Sequence, residues 1–325
     1  MESVKVAVTG AAGFIGAYLS RRLADDGHDV VAIDNFLRGE PARIAGHAGI
    51  RGERCDVRDT DALASALDDV ETVFHLAAIN GTENFYNRPE LVLDVGVRGV
   101  LAVMDAARRA GVPDIVVASS AEVYQTPAVV PTDETTAMVI PDPLNPRYSY
   151  GGSKLISELI AFNYGKDVFR QVQVFRPHNV YGPDMGWKHV IPQLIGKAQA
   201  AAAAGESAIE IQGDGSETRA FCYVDDIVDG IIRMHAAGGH REVYHIGSME
   251  EVSIRDLVGR IVTGLGLALD VRPGPAMEGG TPRRCPDIGK MGAIGYVPRI
   301  TLDEGLLRTI AWYVDHGPME RNALL

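Results

Sequence analysis

Along the first half of the chain, short apolar runs alternate with longer stretches whose apolar residues recur three and four positions apart. The runs at 4–8, 30–33, 72–75 and 115–118 are almost wholly apolar, the pattern of strands buried on both faces. Between them, residues 14–25, 59–68 and 89–110 carry the spacing of one-sided helices. Strand, helix, strand in this rhythm predicts right-handed crossovers and a doubly wound parallel sheet covered on both faces. A helix beginning near Tyr150 and a strand at 172–176 continue it. Beyond Arg176 the rhythm weakens. Pro- and Gly-containing segments interrupt it, and only short strands are expected, at 209–212 and 243–246. The expected division is an α/β domain over residues 1–177 and mainly a smaller lobe over 178–325, with some elements returning to the main sheet. The Ala-rich run 198–204 falls in a helical pattern and reads as a packed or surface helix, not a linker.

Composition leaves this picture in place, with 46% hydrophobic and 23% charged residues in 325. Charge narrows the partners. A net charge of −12 argues against a general grip on nucleic acid or an anionic membrane, because such binding is driven by Lys and Arg. An anionic ligand must then be held by a few local donors. Cys55, Cys222 and Cys285 are widely spaced and form no C-x-x-C pair, so neither a zinc site nor a disulfide framework is indicated. No basic leader precedes the first strand, and no run approaches the roughly 20 apolar residues of a membrane span. A cytoplasmic protein is expected.

Two motifs carry chemistry. Thr9-Gly-Ala-Ala-Gly-Phe-Ile-Gly16 follows the first strand and opens the first helix. Gly10 permits the tight turn, Gly13 lets the backbone approach a pyrophosphate, and Gly16 allows close helix–sheet packing; the helix N-terminus adds free N–H donors. The second strand ends in Asp34, where a carboxylate would accept from an adenosine ribose and repel a 2′-phosphate, favouring NAD over NADP. Asp56-Val57, after a weak third strand, is placed to meet the adenine. This is a Rossmann-type pattern. The second motif is Tyr150-Gly-Gly-Ser-Lys154, whose outer side chains share one helix face. An ammonium there is expected to lower the phenol from about 10 towards neutrality, making it a general base for a sugar hydroxyl. Ser120 ends the strand before it, at the carboxyl edge of the sheet, where ligands bind in such folds.

These motifs, with His75-Leu-Ala-Ala78, Arg176-Pro-His-Asn-Val-Tyr-Gly-Pro183, Arg219-Ala-Phe-Cys-Tyr-Val-Asp-Asp226, Arg284-Cys-Pro-Asp287 and Leu302-Asp-Glu-Gly305, resemble the extended short-chain dehydrogenases/reductases that modify nucleotide sugars. The likeness covers nearly the whole chain. It implies an NAD-binding domain, a C-terminal substrate-binding lobe and a nucleotide-sugar substrate. By resemblance, Tyr150 is the base, Lys154 holds the nicotinamide ribose, and Ser120 orients the sugar O4. Phe14, Ile15, Asn35, Leu76, Ala77, Ala78 and Pro177 join the glycine loop, Asp34, Asp56 and Val57 around the dinucleotide. Asn80, Thr82, Glu122, Asn179, Arg219 and Arg284 fall at substrate positions, the last three suited to a diphosphate. His75 reads as a packed turn residue. Gly96 stands where many such proteins have Asn near the cofactor. No metal is implied, and a homodimer through 89–110 and 149–164 is the habit of the group.

The reaction is less legible. Related 4,6-dehydratases place Asp before the carboxylate corresponding to Glu122; here that residue is Ala121. The segment from Arg176 to Trp187 resembles GDP-mannose 3,5-epimerase, whose second acid/base would correspond to Lys188 or His189 without clean alignment. Arg284-Cys-Pro-Asp-Ile288 resembles the UDP-glucuronate decarboxylases. The expectation is epimerisation at C4 through a transient 4-keto sugar. The alternatives are a C3/C5 epimerase using Glu122, a decarboxylase or 4,6-dehydratase, and a non-catalytic dinucleotide sensor.

Overall fold

Val6, Ala7 and Val8 are all buried, and their side chains point to opposite faces of one strand. The computed structural model describes residues 3–275 and 281–317. Its first strands are β1 (Lys5–Thr9), β2 (Asp29–Asp34), β3 (Ile50–Arg54), β4 (Thr72–His75), β5 (Asp114–Ala118) and β6 (Gln171–Pro177). Helices α1 (Phe14–Asp25), α2 (Thr60–Ala66), α3 (Thr82–Asn87), α4 (Pro89–Ala110) and α5 (Ser149–Tyr164) connect them. The expected helix at 59–68 is shorter at both ends. Asp59 turns its carboxylate back to accept from the Ala62 N–H at 3.0 Å, capping α2 from outside.

Beyond β6 follow β7 (Val180–Tyr181), α6 (Val190–Ala203), β8 (Ala208–Ile211), β9 (Thr218–Ala220), β10 (Cys222–Tyr223), α7 (Val224–Ala237) and β11 (Glu242–Ile246). The chain continues through β12 (Glu251–Ser253), α8 (Ile254–Gly264), β13 (Asp270–Pro273), β14 (Arg283–Arg284), α9 (Gly289–Ala293) and α10 (Leu302–His316). The strand expected at 243–246 is β11, which pairs in parallel with β6. The one expected at 209–212 is β8, which pairs with β13 away from the main sheet.

Among the described residues, seven parallel strands form the main sheet in the order β11-β6-β5-β4-β1-β2-β3. The chain therefore starts in the middle, winds outward to β3, and returns to the other side of β1 at β4. The crossovers on either side of β1 and β4 diverge, leaving a crevice outside their carboxyl ends. One face is closed by α2, α4 and α5 through Leu63, Val103 and Ile160, the other by α1 and α7 through Leu19, Ile227 and Ile231. A third apolar cluster, around Ile191, Ile195, Leu257, Ile261, Leu306 and Tyr313, joins α6, α8 and α10. No described helix is long and apolar enough to cross a membrane.

Gly96 explains how closely α4 and α5 approach. A Cβ there would lie 2.6 Å from the Ser153 Cβ, and its carbonyl accepts from the Ser157 hydroxyl at 3.1 Å. Gly96→Ala should therefore push apart the helix that carries Tyr150 and Lys154. Overpacking costs about 1–3 kcal/mol, only partly offset by the ~1 kcal/mol that alanine gains over glycine in a helix. A Tm lower by a few degrees is expected in a melting experiment; an unchanged or higher Tm would mean the helices are not held in contact here.

Candidate active site

The glycine loop lies on the crevice wall formed by β1. Gly10 has φ of +70°, and a Cβ on it would sit 2.8 Å from the Ala77 backbone, so both conformation and space require glycine. This contact brings Leu76, Ala77 and Ala78, at the exit of β4, against the loop. Gly16 packs on the Gly10 carbonyl and Gly13 opens α1. Asp34 is buried, and its carboxylate accepts from the Ala12 N–H at 3.0 Å and the Phe36 N–H at 2.8 Å. A carboxylate has about four acceptor sites, so capacity for a ribose hydroxyl remains. Asn35 donates to Asp56 at 3.0 Å, and Arg58 grips the same carboxylate, holding it well below the ordinary range. Val57 is buried against Gly99. Phe14 packs its ring edgewise on Tyr18, and Ile15 packs against the apolar cluster on the α1 face of the sheet.

Tyr150 and Lys154 lie one turn apart on α5, both buried beneath Ser120 at the end of β5. Gly151 makes this approach possible, since a Cβ would fall 2.7 Å from the Glu122 carbonyl. Phe85 of α3 stacks on the Tyr150 ring at 5.2 Å and 15°, fixing its plane. The electrostatics differ from expectation. Burial pushes the Tyr150 phenol up to about 12, with Ser120 pulling it down by a hydrogen bond and Glu122 raising it further. Lys154 does not counter this: its ammonium donates to the Ala118 carbonyl at 2.7 Å and sits 5.8 Å from the centre of the phenol ring. Burial lowers Lys154 itself to about 8, opposed by Glu158 one turn further on. The lysine's hydrogen bond goes to the strand end.

The substrate-side residues are less uniform. Glu122 forms a 2.7 Å ion pair with Arg284, which no spacing in the sequence announced. Arg284 of β14 stands beside Arg219 of β9, whose guanidinium is lowered by burial and then by that like charge. Asn179 adopts φ of +40° and donates to the Ala220 carbonyl at 2.9 Å, linking the end of β6 to the arginine strand. Asn80 and Thr82 are exposed at the crevice rim, and Pro177 ends β6. His75 is buried against the Thr9 hydroxyl at 2.8 Å and pushed down to about 3 by burial, neutral at any ordinary pH. Among the described residues no cluster of His, Cys, Asp and Glu could hold a metal ion.

A parallel sheet with a glycine loop at its switch point and a Tyr/Lys helix at the next strand end defines a dinucleotide-binding protein of the short-chain dehydrogenase/reductase type. The comparisons are more specific: the chain belongs to the NAD dependent epimerase/dehydratase family, whose model matches residues 6–247. It is 33% identical to a dTDP-4-dehydro-6-deoxy-D-allose reductase of Streptomyces sp, covering 96% of both chains. It is 30% identical to the UDP-glucose 4-epimerase of Mycolicibacterium smegmatis (strain ATCC 700084 / mc(2)155), covering 95% of this chain and 98% of that one. The crystal structure of the dTDP-glucose 4,6-dehydratase DesIV from Streptomyces venezuelae, with NAD bound, superposes with a TM-score of 0.84 at 28% identity, over 96% and 97% of the two chains.

Several histidines share the condition of His75. His245 accepts at Nε2 from the Tyr124 hydroxyl at 2.6 Å, faces the Asp287 carbonyl with Nδ1 at 3.2 Å, and is pushed down to about 4, chiefly by burial. His178, whose ring lies 4.6 Å from that of His245, is lowered the same way. An unfolded histidine takes its proton near 6.5, so below that pH the unfolded chain binds protons the folded chain refuses. Stability contributed by these groups is complete above about pH 6.5 and declines as pH falls. The urea midpoint at pH 5.5 should lie below that at pH 7.5, and His245→Gln should narrow the gap. Equal midpoints would show that these rings are not held neutral.

Proposed function

We propose that this protein is an NAD-dependent epimerase of nucleotide sugars that inverts C4. One observation carries the reading: Ser120 lies close enough to Tyr150 to pull its phenol down, with Lys154 one turn along the same helix, while Glu122 beside them is tied to Arg284. Bound NAD supplies a hydride acceptor, a hydride for the return step and a positive charge. Tyr150 takes the O4 proton as C4 becomes a ketone and gives it back when C4 is reduced from the other face. Ser120 donates to O4 in both directions. Lys154 holds the nicotinamide ribose and adds its charge to a site whose burial strengthens every charge brought near the phenol. Asn179, Arg219 and Arg284 meet the substrate diphosphate, with Asn80 and Thr82 at the sugar rim. A carboxylate held in a charge-assisted bond is a poor carbon base, which disfavours the C3/C5 route. The buried Ala121 methyl, at 7% exposure, offers no acid for dehydration. Leu93 on α4 and Ile156, Leu159 and Tyr164 on α5 are exposed and belong to adjacent helices, which supports a homodimer through this face.

The test is incubation with a panel of nucleotide sugars in deuterated water, read by NMR. Inversion at C4 without carbon-bound deuterium is expected, because the hydrogen leaves and returns as hydride. Glu122→Gln should retain measurable turnover. Deuterium at C3 or C5 together with an inactive Glu122→Gln would replace this reading by the C3/C5 one. The 33% identity to a reductase makes net redox chemistry the second reading; stoichiometric loss of added NADH would favour it.

Tyr150→Phe separates the site from the fold. Cofactor content and melting temperature should be nearly unchanged, while turnover falls by about 10²–10⁴-fold, the usual range for general acid–base catalysis. Wild-type turnover in this variant would displace the proposed base.

A further inference from the structure

Arg38, four residues beyond Asp34, reaches across the crevice. Its Nη1 donates to the Asn80 carbonyl, and its Nη2 lies 3.7 Å from where a Cβ of Gly81 would sit. The side chain is open to solvent on one side, yet crowded enough that burial lowers it below an ordinary arginine. Among the described residues no carboxylate forms a salt bridge with it. On its other flank it adds to burial in lowering His189. Neighbouring cations are already engaged. Arg43 donates to both Asp184 oxygens at 2.6 and 2.8 Å and to the Ala12 carbonyl at 3.1 Å. Arg58 holds Asp56 and Asp94 at 2.7 and 2.6 Å.

A dinucleotide with its adenosine ribose at Asp34 and its nicotinamide ribose at Lys154 must carry its diphosphate past the glycine loop. There the loop wall offers backbone N–H groups, and Leu76 to Ala78 offer no cation. The chain as a whole, at −12, repels an anion. Arg38 spans this gap from the exit of β2 to Asn80 beyond β4. A guanidinium has five N–H donors in a planar fork, so it can keep one on the carbonyl and present others to phosphate.

We propose that Arg38 is the counter-ion of the cofactor diphosphate and the strap that retains the dinucleotide. The proposal rests on NAD binding and not on which carbon is inverted. Arg38 holds the two crevice walls together over the bound diphosphate, and release requires the guanidinium to let go of both phosphate and Asn80. Retention is therefore sensitive to salt.

The experiment measures exchange of bound NAD against excess isotope-labelled NAD by mass spectrometry, which needs no substrate. Removing a charge-assisted hydrogen bond costs roughly 10–100-fold in retention, so Arg38→Ala should exchange at least ~10-fold faster and purify with less NAD. Arg38→Lys should fall between. Added salt should speed exchange in the wild type more than in Arg38→Ala. If the wild type sheds its NAD on purification, the same ratio is read in the Kd for added NAD. Unchanged exchange in Arg38→Ala with an unchanged melting temperature overturns the proposal. So does a variant that keeps NAD but loses affinity for UDP, which would assign Arg38 to the substrate diphosphate, or one that loses only NADP, which would assign it to a 2′-phosphate.

Discussion

The two walls of the site are tied together by one buried carboxylate, Glu158. It accepts from the Ser119 hydroxyl, and from Arg176 through Nε at 2.8 Å and Nη2 at 2.6 Å, with both charged side chains only 3% exposed. Ser119 precedes Ser120, and Glu158 lies one turn beyond Lys154, so this contact sets the distance between the end of β5 and α5. Arg176 extends the connection: its Nη1 donates to Tyr124, whose hydroxyl donates to His245, which faces the Asp287 carbonyl three residues past Arg284. Burying such a pair gains little over apolar packing, but losing one partner costs about 3–5 kcal/mol because the other charge is stranded. The network therefore contributes position more than stability. It relates the proposed base on α5 to the proposed substrate arginine on β14.

Much of the cofactor half could be read in advance because each of its features is local. Continuous apolar runs can only be strands covered on both sides, and Gly10 answers a turn that lies within its own motif. Glu158 could not be found this way. A glutamate in a helix is ordinarily solvated, and the only hint is that Tyr150, Lys154 and Glu158 recur every four residues on one face of α5. Phe85 lay hidden for a similar reason, since a stack on Tyr150 joins residues 65 positions apart whose separation carries no periodic signal. Arg38 reads as a surface arginine until its reach to Asn80 is seen. Gly96 was legible only as a departure from relatives; its packing on Ser153 depends on how α4 and α5 cross.

The expectation that Lys154 lowers the Tyr150 phenol failed for an instructive reason. A spacing of four places two side chains on one face, but does not say where their ends point. Lys154 satisfies its ammonium on the Ala118 carbonyl, which a buried charge must do before it can serve a neighbour. The phenol, buried away from water, is raised instead of lowered, with Ser120 and Arg38 only partly opposing the shift. On the proposed mechanism the tyrosine would gain its basicity only as positive charge arrives beside it.

The reaction is less legible than the fold because it resides in so few atoms. Relatives at 30–33% identity over nearly the whole chain include a reductase and a 4-epimerase. All of these names concern a sugar carbon next to oxygen, so one dinucleotide site can serve each of them. What separates the outcomes is whether a second group can move a proton at a neighbouring carbon, and whether NAD stays bound through the cycle. In this chain the first question falls on Glu122, held by Arg284, beside a buried alanine where an acid would otherwise stand. The second falls on the crevice walls. A Glu122 held from carbon by its arginine and a dinucleotide kept in place would together favour return of the hydride to C4, the course proposed above.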